Sequence, residues 1–573
     1  MTKTEIKEQK PASTGKPDSE TVSDRVDRPE KVDCEPITLS NPITPSNPMT
    51  LAPEDKVFPE PQLPSAQRYT EHFDASPKGP KGATIEGGID AIVIGASLDG
   101  MAAAALLAKA GLRTIVIESG FPMIAAEPEE FTAQFYCDPG DSLSFGIDPA
   151  LLQRIDLHRH GLRFAERRME TTYYATGGKR LIAPGDLAEF ANLEGDLTDR
   201  DRRRADLFIE EIQSLSQSLV PYFETGNTEA QATDTFNRWA LSSLEETLSG
   251  VFDEEVLTSI FATEALRFSA RRPDSPMTSL SLIRRYSGEI AGLQSSIGAI
   301  DRGLQGLSRS IKRTLQTLGV DYRHASEVSR VLVEWDRVQG VEFTNGGQLR
   351  APIVVSCFDP DTAFLKHAGR DHLDIEFVRA LESRAPQYTT LVARIAFDAK
   401  PDGPLFNEDY RRRVIRLASL ATIKKCFTAA RLGDFHDDAP AELFFPSAFH
   451  SGLAPTDGAV AIMRSGPAPL NPKPGRVFKD WEADAKKHAL SILTSLDETA
   501  AQSVRSVEVT TETSSDVILR EAEIARFLAN AGGLKGYFYC GSGMRIGSPG
   551  TGAAGRRAAD TALQYHKQLQ SVL

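Results

Sequence analysis

Cysteine is scarce in this sequence, and its few copies stand far apart. The chain has five cysteines among 573 residues. No two are close in sequence, so no metal knuckle and no redox dithiol of neighbouring positions is indicated; the five are Cys34, Cys137, Cys357, Cys426 and Cys540. Dispersed cysteines indicate reduced thiols in a cytosolic compartment. Histidines are also scattered, and no set of carboxylates or cysteines with metal-ligand spacing accompanies them. The sequence therefore predicts no metal site.

The sequence also lacks a long hydrophobic run and an excess of positive charge. No apolar stretch approaches the ~20 residues that span a bilayer, and the polar N-terminus has no signal-peptide core. We therefore expect a cytoplasmic protein, either free in solution or peripherally attached to a membrane. The formal net charge of −14 argues against the phosphate backbone of a nucleic acid as a main partner.

Length and proline content predict a tail followed by two or three structural regions. A chain of 573 residues is too long for one hydrophobic core. Residues 1–86 hold 13 of the 34 prolines, with many polar residues and little apolar periodicity. This composition is typical of a disordered segment, so we assign no functional residue to it.

The most informative stretch of the chain predicts a strand, a tight turn, a helix, a second strand and an acid. The apolar residues 91–94, which follow Asp90, fit a strand buried on both faces, and Gly95 lets the chain reverse. The helix over 101–110 would point its N-terminal amides at a pyrophosphate, and Gly100 permits close packing of helix on strand. Glu118 ends the second apolar run, where it would accept hydrogen bonds from a ribose hydroxyl. This order is typical of a dinucleotide-binding unit.

Two residues of this turn depart from the usual pattern. Ser97 stands where a glycine normally lets the backbone approach the phosphates most closely. Asp99 either adds a carboxylate near the expected anion site or caps the helix. Either role would alter the electrostatics of a phosphate-binding turn.

Helical and strand patterns alternate further along the chain. Helical periodicity over 201–223 and 244–261 predicts a mainly helical insertion. A helix over 303–318, strands over 331–335, 338–343 and 348–356, and a hairpin turn at Asn345-Gly346 then resume the nucleotide-binding region. A second insertion, 369–525, mixes strands and helices. The glycine-rich run 536–555 follows an aromatic strand and precedes a helix, so it can place bare backbone and a helix N-terminus against another part of an extended cofactor.

Together these features resemble the phytoene-desaturase-like branch of the FAD-dependent amine-oxidase and carotenoid-desaturase superfamily, which includes carotenoid isomerases. The resemblance covers most of residues 88–570. It is carried by Gly95–Gly100 with Glu118, the start of the helix at Gly303–Leu307, Glu327-Val328, residues 354–360 and Gly541–Gly555. It implies that FAD is the cofactor, with the adenine against the backbone of Val328 and the flavin against the terminal glycine-rich loop. The cofactor-binding residues expected on this basis are Gly95, Ala96, Ser97, Gly100, Glu118, Val328, Gly541, Gly543, Gly547 and Gly552.

The resemblance also implies an architecture. We expect an α/β fold in which a Rossmann-like domain that binds FAD or NAD(P) is assembled from discontinuous segments and carries an inserted α+β substrate domain. The first domain would comprise residues 87–200, 296–368 and 526–573, and the second 201–295 and 369–525. Gly95 and Gly541 should then lie close together.

Four departures from the family pattern fall where the cofactor should lie. Glycines of the family pattern are replaced in the first turn, shortly after Glu118, at the start of the helix near 303 and in the terminal loop. The departures are Ser97, Phe121–Ala126, Arg302–Gln305 and Ile546–Pro549. One change could be absorbed by a small backbone shift. Four raise the alternative that FAD binding is weakened or lost.

Two functional hypotheses follow, and a third has less support. The first is an FAD-dependent oxidoreductase, desaturase- or isomerase-like, that acts on a largely apolar small molecule; because the cofactor would supply the chemistry, no catalytic residue is assigned. The second is a cofactor-poor structural or regulatory subunit that pairs with another protein or with a second copy of the chain. An NAD(P)-dependent dehydrogenase is less well supported, since no second complete glycine fingerprint is present.

Overall fold

The computed structural model describes most of the chain beyond residue 87. The described residues are 88–119, 127–140, 143–185, 190, 192–225, 239, 241–267, 271–324, 326–382, 388–471, 475, 477–512, 533–541 and 551–572. The predicted tail lies outside them, as do the departures at 121–126 and 546–549 and the predicted site residues Gly543 and Gly547. All described residues belong to one unit that spans residues 69–573.

A five-stranded sheet with only parallel pairings carries the predicted dinucleotide-binding unit. Its strands, in spatial order, are Asp321–Arg323, Thr114–Ile117, Ala91–Ile94, Ile353–Ser356 and Tyr537–Tyr539. The three central strands are buried along their whole length, as expected for a parallel sheet covered on both faces. Segments from the beginning, middle and end of the sequence thus form one sheet, which confirms the predicted α/β, Rossmann-like fold.

Different layers cover the two faces of the parallel sheet. On one face, helices Leu98–Lys109, Pro149–Ile155, Gly303–Thr317 and Ala553–Val572 share a core with Val93 and Val355. The other face packs against a three-stranded antiparallel sheet and the helical segments after it; these elements are Val328–Glu334, Arg337–Phe343, Gln348–Arg350, the π-helix Asp361–Gly369, the 3-10 turn Arg370–His372 and Ile375–Glu382.

The single strand predicted over 348–356 is divided in the structure. Gln348–Arg350 pairs with the antiparallel hairpin, whereas Ile353–Ser356 joins the parallel sheet. The break falls at Ala351-Pro352, where proline has no N–H to give to a strand ladder. The chain thereby passes from one layer to the next.

A seven-stranded sheet forms the second region. Its strands, in spatial order, are Val504–Glu512, Tyr388–Phe397, Ala459–Pro469, Ala441–Phe444, Arg413–Arg416, Thr171–Tyr174 and Arg180–Ala183. The last two strands fall inside the segment 87–200, which we assigned to the nucleotide-binding domain. Thr171–Tyr174 pairs in parallel with Arg413–Arg416 and antiparallel with Arg180–Ala183, so both strands of this segment belong to the second sheet.

Helices pack against this second sheet. Among the described residues of the first insertion, the helices are Asp199–Thr225, Leu244–Leu248, Glu255–Leu266 and Leu280–Tyr286, which confirms the predicted helical character of that region. Phe208, Phe252 and Phe261 form part of its aromatic core. The remaining elements are strands Glu129–Thr132, Phe135–Cys137, Leu143–Ser144, Phe164–Glu166, Glu289–Ile290, Leu293–Gln294 and Gly298–Ile300, helices Pro404–Asn407, Leu420–Arg431, Phe478–Leu496 and Glu498–Gln502, and 3-10 turns Pro446–Ala448 and Ser451–Leu453.

The described residues contain neither a membrane-spanning helix nor a cluster of metal-binding side chains. None of the helices described there is both long enough and apolar enough to cross a membrane. The same residues contain no group of three or more histidine, cysteine, aspartate or glutamate side chains that could hold a metal ion.

Candidate dinucleotide site

A cleft opens where the central parallel strands end. It measures about 340 Å³ and is lined by Gly95, Ala96, Ser97, Glu118, Pro139, Gly140, Leu304, Cys357 and Phe358. Carboxyl ends of parallel strands are where open α/β sheets bind their ligands. Four residues predicted from the sequence meet in this cleft: Gly95, Ala96, Ser97 and Glu118.

Gly95 and Gly100 make the turn at the cleft possible. Gly95 has φ of +100°, and a Cβ there would lie 2.4 Å from the Sγ of Cys357. A Cβ at Gly100 would lie 2.4 Å from the carbonyl oxygen of Gly95 and 2.7 Å from the same sulfur. Neither position has room for a side chain, so both glycines are required by the close approach of strand, turn and helix.

Ser97 serves the turn as a helix cap. Its backbone is extended (φ −68°, ψ 169°), and its hydroxyl accepts a hydrogen bond from the Gly100 amide at 3.2 Å. The backbone conformation at this position therefore does not demand glycine. The side chain is exposed at the cleft, where it stands beside the N-terminus of the Leu98–Lys109 helix.

Glu118 lies directly after the second strand and is only 9% exposed. One carboxylate oxygen accepts from the Ala96 amide at 2.7 Å and the other from the Ser119 amide at 2.8 Å. The backbone amide of Glu118 donates to the carbonyl oxygen of Arg323 at 2.9 Å, which ties it to the next strand. Each carboxylate oxygen has two lone pairs, and Glu118 lines the cleft.

A smaller pocket of about 50 Å³ also borders Phe358. Its lining residues are Ile94, Ile117, Ser119, Ser326, Glu327, Val328, Phe358, Thr362, Lys366 and His367. Val328, the predicted adenine contact, is buried here at the start of its strand. Phe358 lines both spaces, so the two adjoin along one edge of the sheet.

The C-terminal segment reaches the same edge. A Cβ at Gly541 would lie 1.6 Å from the carbonyl oxygen of Phe358, and the Cβ position of Gly95 is 3.5 Å from the ring of the same residue. Gly95 and Gly541 therefore flank Phe358, which confirms that they lie close together. Gly552 has φ of +80°, and its Cβ position is 2.2 Å from Leu151 Cδ2; it ends the loop just before the Ala553–Val572 helix.

Asp99 accepts a hydrogen bond from the C-terminal helix, whereas the sequence suggested, as one alternative, that it caps the Leu98–Lys109 helix. Its carboxylate accepts a hydrogen bond at 3.2 Å from the amide of Gly555, in the first turn of the C-terminal helix. Burial raises the pKa of Asp99 to about 6, although the hydrogen bond and Arg557 act in the opposite direction. The carboxylate thus accepts a hydrogen bond at the N-terminus of that helix, and Asp99 is not among the residues that line the cleft.

Several cleft residues were not predicted as site residues from the sequence. Cys357 and Phe358 directly follow the buried strand Ile353–Ser356. Their position at the end of a buried strand is the sequence feature that could have identified them as cleft residues. Pro139 and Gly140 follow a short strand that carried no recognisable pattern. Leu304 belongs to the helix start that departs from the family; its amide donates to Asp138 at 3.1 Å.

Fold and cleft together define an α/β protein with a Rossmann-like dinucleotide-binding region. No protein-family model matches the chain. Pyridine nucleotide-disulfide oxidoreductase domain-containing protein 2 of Rattus norvegicus is 23% identical over 546 residues, which are 82% of this chain and 92% of that protein. Chloroplastic prolycopene isomerase of Daucus carota is 22% identical over 347 residues, 54% of this chain and 53% of the isomerase.

A solved structure shares the fold over most of its length. Cyclohexylamine oxidase from Brevibacterium oxydans IH-35A matches with a TM-score of 0.54 and 16% identity, over 84% of this chain and 100% of the oxidase. The chain therefore has the overall fold of that oxidase.

Proposed function

We propose that this chain is an FAD-dependent oxidoreductase. The observation that carries the proposal is the cleft geometry: Glu118 is bonded to the Ala96 amide beside the N-terminus of the Leu98–Lys109 helix. A carboxylate near a ribose and helix amides near a pyrophosphate are the two recognition elements of dinucleotide binding. The likeness to proteins named as oxidoreductases and oxidases supports the same reading.

The residues present fit one extended dinucleotide. The AMP half would lie between Glu118 and the pocket at Val328, and the pyrophosphate would meet the amides after Gly95. Gly541 and Gly552 would bring the C-terminal segment against the rest of the cofactor. The close contacts at Gly95 and Gly541 leave no room there for a Cβ. At these two positions backbone atoms, and not side chains, would therefore face the cofactor.

A bound flavin would supply hydride chemistry at a carbon centre of the substrate. The residues of this chain would hold and orient the cofactor. We propose a desaturase- or isomerase-like reaction on a largely apolar substrate; support comes from the family resemblance and from the match to a protein named as prolycopene isomerase. No catalytic residue is proposed.

The alternative is a subunit that keeps the fold with little or no cofactor. It is favoured by one observation: Ser97 occupies the glycine position with an exposed side chain at the cleft. Pairing with another protein or with a second copy of the chain would then be its function.

The absorption spectrum of the purified full-length protein tests the proposal. Flavin bands at near-stoichiometric amounts, with FAD released on denaturation, are the expected result and contradict the cofactor-poor alternative. If the preparation is flavin-free, titration with FAD follows. Absence of binding at concentrations that saturate a control flavoprotein would overturn the proposed function.

A further inference from the structure

Cys357 and Cys540 are distant in sequence but are neighbours in the fold. Each directly follows a strand of the parallel sheet, after Ile353–Ser356 and Tyr537–Tyr539. The two strands pair with Ser356 opposite Tyr539, so the cysteines are the next residues along. The Cys540 amide donates to the Ser356 carbonyl oxygen at 2.8 Å, and each thiol shifts the pKa of the other.

This placement suits a disulfide. Neighbouring strands of a sheet lie about 4.8 Å apart, and disulfides join Cα atoms roughly 4.4–6.8 Å apart. Cys357 and Cys540 leave adjacent strands at equivalent positions. Both are free thiols in this structure.

The two thiols have different surroundings. Cys357 is partly exposed and lines the cleft, whereas Cys540 is fully buried behind it. The neighbouring Cys540 thiol lowers the pKa of Cys357, and the hydroxyl and backbone of Ser97 act in the same direction against burial. The Cys357 thiol, together with burial, raises the pKa of Cys540. The thiol with the greater exposure and the lower pKa is the usual attacking partner of a redox pair.

We propose that Cys357 and Cys540 form a redox-active dithiol at the wall of the cleft, with hydrogen peroxide as the oxidant. The Cys357 thiolate attacks one peroxide oxygen, the O–O bond breaks, and the leaving hydroxide takes a proton to become water. Cys357 is then a sulfenic acid. The Cys540 sulfur attacks the Cys357 sulfur, the S–OH bond breaks, and the Cys540 proton leaves with the hydroxyl as a second water. Two thiols are oxidised to one disulfide and one peroxide is reduced to two waters.

Peptide mapping of the full-length protein tests this directly. The reduced protein, freed of reductant, is treated with hydrogen peroxide while folded, alkylated and digested with trypsin without reduction. We expect tryptic peptides 351–366 and 536–545 to be joined by a disulfide that a thiol reductant reverses. This measurement uses the unaltered chain, so it does not depend on any variant folding.

Three variants assign the roles. In Cys540→Ser, the Cys357 sulfenic acid has no partner, so dimedone should label peptide 351–366 and no crosslink should form. In Cys357→Ser, peroxide should leave Cys540 reduced. Cys426→Ser is the matched control, because Cys426 is another buried cysteine whose pKa burial raises; it should form the same crosslink as the unaltered chain. Peptides 351–366 and 536–545 that stay unlinked in the oxidised native protein would overturn the proposal, as would irreversible oxidation of Cys357 without a crosslink.

Discussion

Ser97 differs from the family pattern in sequence but supports the same local structure. Its hydroxyl accepts a hydrogen bond from the Gly100 amide, so the N-terminus of the Leu98–Lys109 helix is capped. Glycine is avoidable here because φ is negative, in contrast to Gly95 at +100°. Serine at this position caps the helix, but its side chain occupies space that a glycine would leave for the phosphates.

Substitution of Ser97 separates these two effects. Ser97→Ala should lower the free energy of unfolding by about 1 kcal/mol through loss of the cap, whereas Ser97→Gly should cost only a few tenths. Ser97→Gly should also raise FAD affinity, because the backbone and pyrophosphate can approach more closely. Denaturant unfolding and flavin fluorescence titration measure the two quantities. Equal FAD affinity of the unaltered chain and Ser97→Gly contradicts the crowding argument.

Glu118 links the turn to the expected ribose position. Glu118→Ala removes two acceptor bonds to the amides of Ala96 and Ser119 and the bond expected to a ribose hydroxyl. Hydrogen bonds to a charged group are worth about 1.5–3 kcal/mol each, so the affinity for FAD should fall at least about tenfold in titration. Glu334→Gln, at an exposed residue of the antiparallel hairpin, is the control and should bind normally. A folded Glu118→Ala protein with unchanged affinity refutes the assigned role.

Helix packing determines how the C-terminal segment reaches the cleft. The Ala553–Val572 helix crosses the Leu98–Lys109 helix so closely that a Cβ at Gly555 would lie 1.9 Å from the carbonyl oxygen of Asp99. The amide of Gly555 also donates to the carboxylate of Asp99. Two elements from opposite ends of the sequence are therefore held together at this point.

Gly555→Ala should strain this contact. Backbone atoms cannot yield as a flexible side chain can, so we expect a loss of about 1–3 kcal/mol in the free energy of unfolding, as for other overpacked sites. Gly452→Ala is the control, because the nearest atom to its Cβ position is a side-chain nitrogen of His450 at 3.4 Å. Denaturant unfolding compares the two. A loss at Gly555 no larger than that at Gly452 contradicts the close packing.

A buried ion network joins the helical insertion to the seven-stranded sheet. Glu264 accepts hydrogen bonds from Arg285 and Arg413, each at 2.5 Å, and from the hydroxyl of Tyr173 at 2.8 Å. Arg413 also donates to Glu442 at 2.6 Å. All five side chains are buried, so the two regions share charges that neither could bury alone.

The network predicts an acid dependence of stability. Burial by itself would raise the pKa of Glu264, but Arg285 and Arg413 outweigh it and lower the pKa from 4.5 to about 2. Because the folded value is the lower one, the stabilisation is complete above pH 4.5 and is lost as pH falls toward 2. Unfolding measured across this range should show the loss in the unaltered chain.

Glu264→Gln provides the comparison. It should lower the free energy of unfolding at neutral pH by about 3–5 kcal/mol, because two buried guanidinium groups lose their shared anion, and it should remove the part of the acid dependence that Glu264 contributes. Glu334→Gln, whose exposed partner is Arg350, should change stability by no more than about 1 kcal/mol. An acid profile of Glu264→Gln that matches the unaltered chain contradicts this account.

The sequence by itself determined the first βαβ unit. The strand at 91–94, the turn at Gly95, the packing glycine Gly100 and the acid Glu118 appear in the structure where the pattern places them. Each of these features depends on neighbours within about 30 residues, the span of one such unit. Local periodicity and the steric freedom of glycine are therefore sufficient to predict them.

Only the tertiary structure decided which distant residues meet. Strand pairing placed residues 171–183 in the second sheet and brought Cys357 beside Cys540, and helix crossing turned Asp99 toward Gly555. Pairing between remote segments depends on the register of whole strands and on the faces that they bury. A short sequence pattern does not contain this information. The βαβ unit was predictable for this reason, and the thiol pair at its edge was not.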